Sequence, residues 1–192
     1  MKKLSYVAMI AAAGLMFQAC HSSTDSTKAA DSANAVKDST TTGAAGIAVV
    51  ADDAKFAVDA ANGGMTEVEL SKLAATKATN AEVKAFANMM VMDHGKANEE
   101  LKGIAATKNI TLPDSVNADS KKAVEDLSKK SGADFDKAYV DKMVSDHKST
   151  VDMFESASKN LKDRELKAFV DKTLPVIKGH LDHINKIQGS MK

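Results

Sequence analysis

The sequence predicts an all-α fold, a four-helix bundle with one long, partly helical crossover between the second and third long helices. Three observations predict it. From Asp52 onward, apolar residues recur at the helical period with almost no β-branched alternation. Only two prolines occur in 192 residues, so long helices are rarely interrupted by the residue that most often breaks them. Two links between long helices are very short and make the joined helices antiparallel neighbours, while the third spans roughly 25 residues.

Residues 1–19 have the form of a secretory signal: Met1-Lys2-Lys3, an apolar run from Leu4 to Phe17, then Gln18-Ala19 before Cys20. The run is too short to span a bilayer comfortably. Cys20 is the only cysteine, so no disulfide forms within the chain. Its place at the end of a signal predicts the lipid-modified first residue of a bacterial lipoprotein, although Gln18 departs from the usual Leu-Ala-Gly-Cys form. Residues 20–50 are therefore read as the lipidated Cys20 and a flexible Ser/Thr/Ala-rich tether, which lacks the apolar surface to offset its ordering entropy. Such a tether reaches roughly 30 Å and anchors the folded domain, residues 51–189, to a membrane. The predicted location is the cell envelope, at the outer membrane facing the periplasm.

Within that domain the first helix carries Phe56, Ala60, Gly63, Glu67, Leu70 and Ala74 on one stripe and ends near Thr79. Asn80 is a good N-cap for the second, whose stripe is Val83, Phe86 or Ala87, Met90, His94, Ala97 and Leu101. Asn109 to Pro113 breaks the pattern, and Asp114 or Ser115 can cap a shorter helix that Ser131-Gly132 stops. A third long helix runs through Phe135, Tyr139, Met143, His147 and Phe154. Asp163 caps the fourth, with Leu166, Phe169, Thr173, Ile177, His180, Ile184 and Ile187 on its stripe. Pro175 inside it predicts a kink. Two hairpins joined by a long connection match the ferritin-like arrangement, with an up-down-up-down bundle as the competing topology.

One pattern occurs twice: Ala, aromatic, three variable residues, Met, Val, one variable residue, Asp, His, at Ala85 to His94 and Ala138 to His147. Lys167-Ala168-Phe169 extends it weakly to the fourth helix, where His180 lies one turn further on nearly the same face. Glu67 on the first helix completes one polar side chain per helix. Three imidazoles and a carboxylate converging in a bundle core suit zinc, or iron or copper with an open position. The alternative is that each group is a core residue satisfied by a hydrogen bond to Asp or backbone. Asp93 and Asp146 precede their histidines by one residue, which turns them about 100° away from the same metal. Their expected place is behind a neighbouring helix's histidine or on a solvated face. His183 lies off the stripe and is expected to be exposed.

Several classes are excluded. Di-iron carboxylate bundles use Glu-x-x-His, and here Val91, Val144 and Ile177 stand three residues before the histidines. Met89, Met90, Met92, Met143 and Met153 allow a soft-metal site for Cu(I), or are core fillers. No nucleophile arrangement supports hydrolysis. Removing residues 1–19 takes the 26 basic residues to 24 against 26 acidic ones, and with no Trp and no basic block nucleic acid is not an expected partner.

The residues resemble a bacterial family, domain of unknown function 4142, often described as outer-membrane or secreted proteins. The resemblance runs through Gly63 to Leu70, Val83 to Ala87, Met90 to His94, Leu112-Pro113, Phe135 to Val140, Met143 to His147, Thr173-Leu174-Pro175 and His180-Leu181. It implies the ferritin-like crossover topology. Its motif positions match Glu67, His94, His147 and His180 but not His183, and Ser71 stands where the family often has glycine. The expected protein is a membrane-tethered lipoprotein that binds a transition metal for metal handling or stress protection, a binding module before an enzyme. A structural or interaction lipoprotein without metal is the alternative, and a redox enzyme using Tyr139 a third reading.

Overall fold

The computed structural model describes residues 25–39 and 48–191, so the predicted signal, Cys20 and tether residues 21–24 and 40–47 lie outside the described residues. Among the described residues it has six helices: α1 (Ser26–Ser39), α2 (Ala51–Lys77), α3 (Ala81–Thr107), α4 (Ala118–Ser128), α5 (Gly132–Asn160) and α6 (Arg164–Ser190). None is long and apolar enough to cross a membrane.

The helix starts follow from capping chemistry. Asn80 Oδ1 accepts from the amides of Glu82 and Val83 at 2.8 and 3.2 Å, and Asp163 Oδ1 accepts from Glu165 and Leu166 at 3.0 Å each. Each cap contributes about 1 kcal/mol by satisfying donors that the helix itself leaves open. The two tight turns are then tied across the molecule. Asp136, at the start of α5, accepts from the amides of Thr79 and Asn80 at 3.0 and 2.8 Å. Asp53, at the start of α2, accepts from Lys162 and Asp163 at 3.0 and 2.6 Å. Both aspartates are buried, so each turn is fastened to the first turn of the opposite hairpin.

These ties put the start of α5 beside the end of α2, and the end of α5 beside the start of α2, so the two run antiparallel. α2 packs against α3 and α5, and α6 packs against α5 and α3. The α4 segment crosses the length of the molecule between α3 and α5 and rests on α2 and α5.

The core divides into two apolar clusters. One, near the α2–α3 turn, holds Leu70, Phe86, Met90, Phe135, Tyr139, Met143 and Ile184. The other, toward the α5–α6 turn, holds Phe56, Leu101, Phe154, Leu166, Phe169 and Ile177. On every long helix the polar residue singled out by the spacing falls where these clusters meet: Glu67 before Leu70, His94 between Met90 and Leu101, His147 between Met143 and Phe154, and His180 between Ile177 and Ile184.

Two expectations are corrected. Residues 26–39, expected as part of the flexible tether, form α1 and dock. Ala30 and Asn34 are buried, and the Asn34 amide donates to Thr111 O at 2.9 Å while its Oδ1 accepts from Thr111 N at 2.7 Å. A search for an apolar stripe misses such a helix, because a small residue and a side-chain amide dock it instead of large apolar groups. The cap of α4 is Asn117, which accepts from Ser120 N at 2.9 Å, rather than Asp114 or Ser115. The Asn117 amide is itself held by Asn62 Oδ1 at 2.9 Å, a long-range partner that local sequence does not show. α6 continues through Pro175, which is exposed.

Candidate metal centre

Glu67, His94, His147 and His180 come together, one from each long helix, and all four are buried. The three imidazole rings form a near-equilateral triangle, with centroids 5.7, 5.3 and 5.7 Å apart. Phe86 closes one side, with its ring centroid 6.3 Å from His147 and 6.4 Å from His180.

The hydrogen bonds decide which nitrogen of each ring is engaged. His147 Nδ1 meets Met143 O at 2.9 Å, so that nitrogen carries the proton and donates to the carbonyl. His94 Nδ1 donates to Glu67 Oε2 at 2.9 Å. His180 Nε2 donates to Asp93 Oδ2 at 3.1 Å. The other nitrogens, Nε2 of His94, Nε2 of His147 and Nδ1 of His180, are buried without a hydrogen-bond partner.

Buried polar atoms are nearly always satisfied, and a partnerless nitrogen on each of three adjoining rings calls for an occupant. One donor atom from each histidine lies within 4.8 Å of the others. A tetrahedral ion about 2.0–2.1 Å from each nitrogen needs them about 3.3 Å apart, a contraction within reach of side-chain rotation. Backing each ring's outer nitrogen with a carboxylate or carbonyl is the usual support for a metal-binding imidazole.

Glu67 sits differently from the place its spacing suggested. It lies against the outer nitrogens of two rings, with Oε2 on His94 Nδ1 and Oε1 3.4 Å from His147 Nδ1. Since His147 Nδ1 donates its hydrogen bond to Met143 O, Oε1 is left without a donor and is the fourth orphan. Asp93 lies behind His180 of the neighbouring helix, accepting from its Nε2 at 3.1 Å. Asp146 does not back a histidine: it pairs with Lys142 at 2.7 Å, one turn away on its own helix. His183 is exposed, with its ring 5.4 Å from Phe86.

The charges follow from this geometry. Burial pushes the Glu67 carboxyl up, but the three histidines and the hydrogen bond from His94 outweigh it and hold the group below the usual carboxylate range. Burial pushes His94 down, yet the Glu67 carboxylate and its hydrogen bond hold it above the ordinary imidazole value. His147 and His180 are held below that value, chiefly by burial. These directions favour charge on Glu67 and His94 and the neutral form of His147 and His180.

The methionines and Tyr139 have other work. Met90 and Met143 are fully buried in the apolar cluster, Met92 is exposed and Met153 lines a cavity beside the centre. Tyr139 Oη and Ser71 Oγ share a hydrogen bond of 2.8 Å, and burial pushes the phenol well above its ordinary range. Its hydroxyl faces Ser71 rather than the histidines.

Fold and site together define the class: an all-helical domain whose long helices converge three imidazole nitrogens in the core. The chain belongs to the DUF4142 family, a domain of unknown function, whose model matches residues 38–187. In structure it is similar to a DUF305 fragment from Deinococcus radiodurans, with a TM-score of 0.67 at 10% sequence identity over 74% of this chain and 98% of that one, a likeness of fold alone. No curated protein matches it.

Proposed function

We propose that this protein is a metal-binding module of the cell envelope: a ferritin-like four-helix bundle, tethered through a lipidated Cys20, that holds one transition ion at His94, His147 and His180. The observation that carries the reading is the set of orphaned atoms, a free nitrogen on each of three buried rings and Oε1 of Glu67, all at the join of two apolar clusters. Neutral imidazole suits zinc, iron and copper alike. Glu67 fixes the tautomer of His94 and supplies a compensating negative charge, while Asp93 fixes that of His180. The ferritin-like reading is supported by the packing of α3 on α6 and α2 on α5, since an alternating up-down-up-down order would instead pair α3 with α5.

Elemental analysis of the protein purified from its own host tests the metal. One zinc, iron or copper per chain is expected, with retention lost in His94→Ala and His147→Ala. No stoichiometric metal in the wild type, with both variants unchanged, contradicts the proposal. The anchor is tested separately: Cys20→Ser is expected to move the protein from the membrane fraction to the soluble one.

A further inference from the structure

We infer that the centre keeps one coordination position open to a small exogenous ligand of two or three heavy atoms, which enters through a cavity between α2, α3, α5 and α6. This rests on the metal-binding reading above and extends it. A cavity of about 40 Å³ abuts the site. Glu67, His94 and His180 line it and His147 does not, so it reaches the centre from the side away from His147. With three nitrogens as protein ligands and Glu67 behind two of the rings, a tetrahedral ion has one position left, the arrangement of sites that exchange a ligand.

The size of the cavity limits what can occupy that position. A water-sized occupant needs roughly 10–15 Å³, so the cavity takes about three, the span of a ligand of two or three heavy atoms. Size selects the ligand more than charge does. Three neutral imidazoles leave the +2 of a divalent ion intact, and the carboxylates of Glu67 and Asp93, which both line the cavity, bring the local sum to about zero. Asp93 lines the cavity as well as accepting from His180 Nε2, from a carboxylate that is 31% exposed.

Small residues make the space. At Gly63 nothing lies within 4 Å of the position a Cβ would take, while at Gly64 a Cβ would fall 2.1 Å from Asn98 Oδ1. Asn98 thus closes the wall at Gly64, the space stays open at Gly63, and Ala97 lines the same cavity. Thr150 and Thr173 give it two further polar walls.

Azide titration of the copper(II)-loaded full chain, read by the azide-to-copper charge-transfer band, tests the inference. A saturable band with one azide per copper is expected. Ala97→Leu, which fills the cavity, is expected to weaken azide binding about tenfold or more with copper stoichiometry unchanged. Gly63→Ala, which no neighbour opposes, is expected to weaken it less in the same direction and keeps the test valid if the larger substitution misfolds. One copper per chain with no azide band overturns the open position and leaves the metal reading intact. Equal azide affinity in the wild type and both variants overturns the route. Failure of the wild type to retain copper, zinc or iron overturns the metal reading itself.

Discussion

The two copies of the Met-Val-x-Asp-His pattern are the same in sequence and different in use. Both histidines reach the centre, because a residue on the apolar stripe is carried inward whichever long helix holds it. The aspartates diverge. Asp93 points from α3 toward α6 and accepts from His180 Nε2 at 3.1 Å, whereas Asp146 on α5 meets Lys142 of its own helix at 2.7 Å. Helical period fixes what faces the core, but the neighbouring helix decides what a flanking residue finds there.

The comparison breaks most directly at the histidines. Removing either copy's histidine is expected to have the same effect: His94→Ala and His147→Ala each lower metal affinity by more than about a hundredfold, measured by chelator competition. The aspartates are expected to differ. Asp93→Asn weakens the metal about ten- to a hundredfold because His180 loses the carboxylate that orients it, while Asp146→Asn stays within about twofold in the same assay. Equal losses at both positions would refute the division of roles.

A second asymmetry concerns protons. Of the three rings only His94 is held above the ordinary value of about 6.5, so a metal must displace a proton from it, while His147 and His180 are already neutral there. Apparent metal affinity is expected to rise with pH above about 6.5, by at most about tenfold per unit until His94 deprotonates on its own. Glu67→Gln removes the charge that raises His94 and should flatten that slope; calorimetric titration at several pH values reads it.

The paired aspartates at the turns sharpen the contrast, because there the two halves do behave alike. Asp136→Ala and Asp53→Ala each strand two backbone amides at a buried turn and are expected to cost about 2–3 kcal/mol, by denaturant unfolding of the metal-free protein. Metal stoichiometry is expected to survive both, as neither residue touches the centre.

Much of the architecture was legible in the sequence. The apolar stripes of the four long helices, the caps Asn80 and Asp163, and the depth of Glu67, His94, His147 and His180 all follow from period and local chemistry. Features that depend on distant partners were not. Asn117 caps α4 where Asn62 holds it, α1 docks through Ala30 and Asn34 without a stripe, and Glu67 shares the depth of the three histidines yet stands behind two of their rings. Spacing gives a residue's face and height on its helix; the choice between touching a metal and touching a ligand's outer nitrogen is set by rotamers and by the helix opposite.

Thermal unfolding with and without a chelator tests the central claim most directly. Metal bound at a hundredfold excess over its Kd stabilises by about 2.7 kcal/mol, which for a domain of this size raises Tm by roughly 5–10 °C. The account predicts that chelation removes this increment from the wild type and has no effect on His147→Ala. A wild type whose Tm is indifferent to chelator would contradict it, and would mean that the buried histidines and Glu67 hold helix register without a metal.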